Sequence, residues 1–184
     1  MKLFKNGRIQ MTGLKKIENG PVAINTIIDI IKNLNLNNDI IDKNDLEFSD
    51  YKICLINSDF KFFSKLRRNK LFDFLNNKTD LICSYEPCIY PGVKIQFFYN
   101  NKYDGICRCS DGYCSNKDKK SLCGKVTIAV FESGCTIITG AKSLEQINVT
   151  YKYIKELLTN NIDNFKKIDL DQLLLQWQFS HFVW

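Results

Sequence analysis

Leu3–Lys15 reads LFKNGRIQMTGLK and Val130–Lys142 reads VFESGCTIITGAK, and the two stretches align without a gap at an offset of 127 residues. Phe4, Gly7, Thr12, Gly13 and Lys15 return as Phe131, Gly134, Thr139, Gly140 and Lys142. The match continues through Glu18 and Glu145, Val22 and Val149, and Ile27 and Ile154, so the chain carries two copies of one unit.

Each copy reads as a hairpin followed by a helix. Asn6-Gly7 and Ser133-Gly134 are turn dipeptides between apolar strands, and the Thr-Gly pairs mark where the second strand ends. A two-residue loop would pair Phe4 with Ile9. A three-residue loop instead collects Leu3, Ile9 and Met11 on one face and Phe4, Gln10 and Thr12 on the other, and this gathering of aliphatic side chains favours it. In the second copy it buries Val126, Ile128, Val130 and Ile138 and turns Thr127, Ala129, Phe131, Ile137 and Thr139 the opposite way. The helices that follow carry apolar stripes, Ile24-Ile27-Ile28-Ile31-Leu34 and Ile147-Tyr151-Ile154-Leu158, spaced to cover the buried faces. Pro21 suits a first helical turn, and Ser143 with Gln146 forms a capping-box pattern.

Between the copies, Tyr51 to Ile56 reads as a strand, Lys61 to Leu75 as a short helix with Lys65, Arg67, Arg68 and Lys70, and Leu81 to Cys83 and Val93 to Phe98 as further strands. The loop from Glu86 to Gly92 joins the last two. A polar, Cys-rich insertion occupies 99–124, and an apolar tail with Leu173, Trp177, Phe179 and Phe182 ends the chain.

At 184 residues, 45% hydrophobic and 25% charged, the chain is long enough to bury a core. It has no run of about 18 apolar residues and no charged head before an apolar stretch, so the expectation is a soluble, intracellular protein. The net charge of +6 comes from 22 Lys against 4 Arg in a sequence crowded with Asn and Ile. A basic balance fits nucleic acid, but an AT-rich genome supplies Lys and Asn through codon usage, so charge alone is not decisive. The same bias points to a large DNA virus or a protist as source. With a single His, no Gly-rich phosphate loop after a strand, and no Ser or Cys set beside a base, the chain has no enzyme constellation.

Ser84–Gly92, SYEPCIYPG, resembles the signature SYEPELFPG of the second repeat of the TATA-box-binding protein family, and the Thr-Gly-Ala-Lys hairpin of the second copy follows in that family's order. The resemblance covers about Tyr51 to Leu158, and Leu3 to Leu34 matches the end of the family's first repeat. It implies an α+β saddle, a curved antiparallel sheet whose concave face sits on the DNA minor groove and whose helices lie on the convex back. It divides the chain into residues 1–45, the end of a truncated first repeat, residues 46–165, the second repeat with its insertion, and a tail, 166–184. Minor-groove proteins of this type wedge aromatic residues between flexible AT-rich steps and kink the duplex.

By resemblance, the wedge positions are Phe4, Tyr90 and Phe131. Thr12, Thr139 and Ile137 face the bases, where A·T pairs offer only acceptors. Lys15, Lys142 and Arg8 lie at phosphate-contacting positions. Where the family places a base-reading Asn this chain has Leu55, with Asn57 two residues on. Glu86 and Ile89 lie in the loop that meets transcription factor IIB in the family. The implied partners are AT-rich double-stranded DNA and either RNA polymerase or a factor IIB-like protein. The implied location is the nucleus, or a cytoplasmic virus factory or virion for a viral protein.

Departures accompany the matches. Tyr90 replaces Phe, Cys135 a phosphate-facing Lys, Gln96 an Arg, and Gln10 an apolar groove contact; fewer cations imply weaker binding and a shallower salt dependence. Leu55, Gln96 and Cys135 also suit an alternative, an interaction or structural module that keeps the fold and has lost DNA binding. Met1 falls in the last hairpin of the first repeat, which leaves open a fragment, a reduced natural form, or a homodimer whose copies complete each other.

Eight cysteines in an intracellular chain are expected as thiols or metal ligands. Cys107, Cys109, Cys114 and Cys123 form C-x-C-x4-C-x8-C, a set able to close one tetrahedral structural zinc site and staple the insertion. Free or partly buried thiols are the alternative. Cys54, Cys83, Cys88 and Cys135 read as core or surface thiols, and His181 as a tail residue. An isolated strand Phe is more often core than wedge, and a basic helix face is most often solvated. The repeat and its parity are what turn Phe4 and Phe131 toward DNA.

Overall fold

The computed structural model describes residues 1–34, 46–100, 103–107 and 123–168. The chain divides into two compact units, Met1–Lys52 and Ile53–Trp184. Residues 108–122 of the expected insertion and the expected tail from 169 lie outside the described residues.

The first unit holds a hairpin, β1 (Lys2–Leu3) and β2 (Ile9–Gln10), and a helix, α1 (Asn19–Asn33). Leu3 pairs with Ile9 and Lys2 with Gln10, the parity of the three-residue loop. Helix α1 buries Gly20, Ile24 and Ile28, one side of its apolar stripe. The Tyr51 ring packs so closely over Gly20 that a Cβ there would overlap it, and its hydroxyl donates to the Ile17 carbonyl at 3.3 Å. Tyr51 thus belongs with α1 in the first unit.

The second unit runs β3 (Ile56–Lys61), α2 (Arg68–Lys78), β4 (Ile82–Glu86), β5 (Tyr90–Asn100), β6 (Tyr103–Gly105), β7 (Gly124–Val130), β8 (Cys135–Ala141) and α3 (Leu144–Asn160), closed by a 3-10 turn at Ile162–Asn164. Its antiparallel sheet has the order β3-β8-β7-β5-β4, with β6 paired to β5. The class is α+β.

The two hairpins share their geometry as well as their residues. Phe4 N–H donates to the Arg8 carbonyl at 2.9 Å and Gly7 N–H to the Phe4 carbonyl at 3.0 Å; Phe131, Cys135 and Gly134 repeat both bonds at the same lengths. Gly7 and Gly134 have φ of 77° and 84°, and Gly13 and Gly140 have 80° and 84°. The left-handed residue that closes a three-residue hairpin loop is one that glycine adopts without Cβ strain. The side chains of Asn6 and Ser133 then accept from Arg8 and Cys135 N–H at 3.2 and 3.3 Å. Both helices end at matching residues, Asn33 and Asn160.

Alternation in β7 and β8 falls as the sequence implies: Val126, Ile128, Val130 and Ile138 are wholly buried. Against them pack Val93, Ile95 and Phe97 of β5, Leu71 and Leu75 of α2, Ile147, Ile154 and Leu158 of α3, and Phe165. Ser143 Oγ accepts from Gln146 N–H at 3.2 Å while Gln146 Oε1 accepts from Lys142 N–H at 2.7 Å. The capping box therefore satisfies one donor inside α3 and one just before it.

The region between the copies differs from the sequence reading. The strand expected over 51–56 runs over Ile56–Lys61, and the helix expected over 61–75 starts at Arg68. Ile56, Ser58 and Phe60 alternate inward, and Phe62 N–H donates to the Gly134 carbonyl at 2.8 Å, so the ladder with β8 keeps these residues extended. Leu66 N–H donates to the Glu132 carbonyl at 2.9 Å and Arg67 N–H to the Phe165 carbonyl at 2.7 Å, which holds the helix start back. Of the basic cluster, Arg68 and Lys70 lie on α2, Arg67 caps it and Lys65 precedes it. Strands β4 and β5 are longer than expected, and the loop between them shrinks to three residues, 87–89.

Because Ile154 is fully buried in this core, Ile154→Ala is expected to destabilise the protein by about 2–5 kcal/mol. Val149→Ala, on the exposed side of the same helix, should change stability by no more than about 0.5 kcal/mol. Equilibrium denaturant unfolding measures both.

Candidate nucleic-acid interface

Register assigns each strand residue of the second unit to a face. Val93 lies opposite Val130, Ile95 opposite Ile128 and Ile128 opposite Ile138, all on the buried face. Their neighbours share the other: Lys94 and Gln96 of β5, Lys125, Thr127 and Ala129 of β7, and Cys135, Ile137 and Thr139 of β8. Ile82 and Ser84 extend that face along β4, and Asn57, Asp59 and Lys61 along β3. Helix α3 packs on the buried face through Tyr151 against Phe60 and Tyr153 against Phe97, and α2 through Phe72 near Tyr85. Among the described residues, then, both helices of this unit cover one side and leave the other open.

Along the middle of the open face Thr127 lies directly opposite Thr139, and Ala129 opposite Ile137. These side chains are uncharged and, Ile137 apart, small, so a flat ligand can approach the strands. Lys61, Lys94 and Lys125 are exposed around them. Ile82, Ser84, Lys94, Gln96, Lys125 and Thr127 line a shallow depression on the same side.

One end of this face carries two aromatic rings from distant segments. Tyr90 opens β5 and Phe131 follows β7, and their centroids are 5.7 Å apart with planes inclined by 59°, within the usual range for paired aromatics. Gly92 makes room for them: a Cβ there would lie 2.9 Å from Tyr90 Cε1 and 3.1 Å from Phe131 Cε1. Lys94 Nζ stands 4.3 Å from the Tyr90 ring centroid, a cation–π contact. Behind the pair, Glu132 accepts from Lys167 Nζ at 2.5 Å and lies 3.2 Å from Arg68 Nη2. The hydrogen bond and charge of Lys167, assisted by Arg68, hold the Glu132 carboxyl below the ordinary glutamate value.

The residues singled out in the sequence fall in several places. Phe131, Tyr90, Ile137 and Thr139 share the open face and its end, and Asn57 joins them despite the shifted strand, beside the irregularity between Ile56 and Ser58. Leu55 precedes β3 and is exposed. Lys142 is exposed just past β8, with its N–H engaged in the α3 cap. Glu86 ends β4, and Ile89 projects from the turn at 78% exposure. Phe4, Arg8, Thr12 and Lys15 are exposed on the first unit. Cys107 is half-buried, and Cys123 is buried with its Sγ accepting from Asn100 Nδ2 at 3.3 Å. Cys109 and Cys114 lie outside the described residues, and among the described residues no three metal-ligating side chains gather.

Four contributors were not among the site residues expected from the sequence, Arg68 having been read only as part of a basic helix. Lys94 and Lys125 were legible in principle, since they share parity with Gln96 and Thr127. Arg68 and Glu132 were not, because their partners are remote in sequence and only the folded sheet brings them together.

A sheet closed by helices on one side, open and uncharged in its middle on the other, bordered by Lys61, Lys94 and Lys125 with Asp59 among them and ended by an aromatic pair, has the layout of a module that binds through its sheet face. Residues 68–161 match the family model described as transcription factor TFIID, or TATA-binding protein, TBP. The chain belongs to this family, one of transcription factors and not of enzymes. It is 32% identical to a TATA-box-binding protein-like protein of Acanthamoeba polyphaga mimivirus, over 99% of this chain and 48% of that protein. It is 26% identical to TATA-box-binding protein 2 of Entamoeba histolytica, over 86% of this chain and 58% of that one. The chain thus spans about half the length of these relatives. Among solved structures, Methanococcus jannaschii TBP superposes with a TM-score of 0.47 at 22% identity, over 80% of this chain and 66% of that one. No helix among the described residues is long and apolar enough to cross a membrane.

A carboxyl whose folded value lies below its unfolded one contributes stability that is present above the unfolded value and lost as pH falls through the folded value. Carboxyl-detected NMR titration is expected to show Glu132 ionising below a free glutamate, and Lys167→Ala should move it back up. A Glu132 midpoint unchanged by that substitution contradicts the assignment.

Proposed function

We propose that the chain binds AT-rich duplex DNA through the minor groove, kinks it, and acts as a transcription initiation factor. The observation that carries this reading is the paired Tyr90 and Phe131 at the end of an open sheet face, in a member of the TATA-binding protein family. The pair acts as the wedge: an apolar edge inserted at a flexible pyrimidine–purine step unstacks it, and the kink lets more of the sheet reach the groove. Thr139 and Asn57 meet the base edges, where their hydroxyl and amide donors suit the acceptor pattern of A·T pairs, and Ile137 makes apolar contact beside them. Lys142 contacts phosphate beside them. Phe4, Arg8, Thr12 and Lys15 take the corresponding roles in the first copy, whose hairpin repeats the hydrogen bonds of the second.

Glu86 and Ile89, exposed at and beside the β4–β5 turn, are the proposed contact for a factor IIB-like protein or RNA polymerase. The work site is the nucleus, or a virus factory or virion for a viral chain. The competing reading, an interaction module without DNA binding, draws on exposed Cys135 and half-buried Gln96 standing where the family resemblance implies cations.

Gel-shift and bending assays on TATA-like and GC-rich duplexes separate the two readings. Binding and bending confined to the AT-rich duplex, and bending abolished by Phe131→Ala, are the expected results. Equal weak binding to both duplexes contradicts the DNA reading. Lys142→Ala should weaken binding to all sequences alike and lower the salt slope by about one.

For the insertion we propose one structural zinc held by Cys107, Cys109, Cys114 and Cys123. The support is four soft thiol ligands at close spacing, with Cys107 and Cys123 anchored next to the strands that flank the insertion. Metal analysis of the purified protein is expected to find about one zinc per chain, and less than about half an equivalent argues against a closed site.

A further inference from the structure

We infer that Arg68 is a positioning residue for the aromatic pair, bracing Tyr90 and Phe131 from behind so that they meet DNA as one wedge. The inference rests on the DNA-binding reading for its purpose and on the geometry of the free protein for its substance.

Tyr90 and Phe131 lie on different segments, each beside a three-residue turn, and strand ends next to turns are where a sheet is least constrained. Arg68 reaches both. Its Nη1 donates to the carbonyl of Pro91, the residue after Tyr90, at 2.7 Å. Its Nη2 lies 3.2 Å from Oε2 of Glu132, the residue after Phe131. The guanidinium carbon also stands 5.7 Å from the centroid of the Tyr85 ring on β4. One planar fork thus ties β5, the β7–β8 turn and β4 together.

The post on which Arg68 stands is itself fixed. Leu71 and Leu75 of α2 are fully buried, and Arg67 N–H donates to the Phe165 carbonyl at 2.7 Å. Leu66 N–H donates to the Glu132 carbonyl at 2.9 Å, which anchors Glu132 by its backbone as well. Lys167 holds the second oxygen of the Glu132 carboxylate, and its own N–H donates to the Lys65 carbonyl at 2.8 Å. Glu132 is therefore fixed from two sides, and Arg68 transmits that order to Pro91 and Tyr90.

A lysine at this position cannot replace the fork. Its ammonium is a point donor, whereas guanidinium presents several donors in one plane and can satisfy a carbonyl and a carboxylate together. Ion pairs this exposed contribute little to global stability. A wedge, however, must hold its geometry closely, since small misplacements at a site carry large functional losses. The loss of Arg68 is thus expected in ring order and DNA bending, and not in folding.

The test uses the full chain, Arg68→Ala, Arg68→Lys and Glu132→Gln, with two readouts: ring-to-ring NOEs between Tyr90 and Phe131 in the free protein, and fluorescence-resonance bending of an AT-rich duplex at saturating protein. Thermal unfolding controls for folding. Arg68→Ala and Arg68→Lys are expected to unfold within a few degrees of the parent, to lose the inter-ring NOEs, and to bind about tenfold more weakly with a smaller bend. Glu132→Gln, which keeps the Pro91 bond, should fall between. Intact NOEs in Arg68→Ala overturn the brace whatever DNA does. If Arg68→Ala fails to fold, Arg68→Lys and Glu132→Gln decide by the same NOEs. A parent protein that orders its rings and yet does not bend DNA overturns the DNA reading alone.

Discussion

The antiparallel register of β5, β7 and β8 governs the second unit. With Ile95 opposite Ile128 and Ile128 opposite Ile138, the fully buried aliphatic side chains of three adjacent strands, Val93, Ile95, Val126, Ile128, Val130 and Ile138, turn to the same side and are sealed there by α2 and α3. The residues between them have nowhere else to go, so Lys94, Gln96, Thr127, Ala129, Ile137 and Thr139 form the opposite face. A slip of one residue in any of these ladders would exchange the two sets, exposing valines and isoleucines and burying lysine. Core and interface are therefore one design constraint seen from two sides.

That constraint was legible where the chain repeats itself. The recurrence of Phe, Gly, Thr, Gly and Lys at one offset identified the hairpins, and the parity of a three-residue loop predicted which side each residue takes. The matched bonds at Phe4 and Phe131 and the matched positive φ at Gly7 and Gly134 show why the pattern is informative: the loop needs glycine, and the loop sets the parity. Between the copies the sequence pattern and the ladder part company. Ile53 and Leu55 have the look of a strand, yet the ladder to β8 begins at Ile56, because Phe60 and Phe62 bury deeper. Lys65 to Lys70 have helical spacing, but tertiary hydrogen bonds at Leu66 and Arg67 delay the helix.

The aromatic pair shows the limit of local pattern in another way. Each ring could be placed on the proper side from its own strand, but their contact depends on Gly92 leaving a notch and on two turns arriving at the same height. Nothing in the sequence around Tyr90 mentions Phe131. The ionic network behind them, with Arg68, Glu132 and Lys167 drawn from three separate segments, is likewise a property of the folded sheet. It sits where a wedge would need stiffness, which connects the packing of α2 to the chemistry of the opposite face.

In the proposed complex this end of the sheet enters the base stack. The most direct measurement of that entry is the fluorescence of 2-aminopurine placed at a single TA step of an AT-rich duplex, a probe that brightens when its base unstacks. Brightening at one step is expected on addition of saturating protein, with the neighbouring steps unchanged and the signal lost when Tyr90 and Phe131 are both replaced by alanine. Saturated binding with no brightening at any step would contradict it.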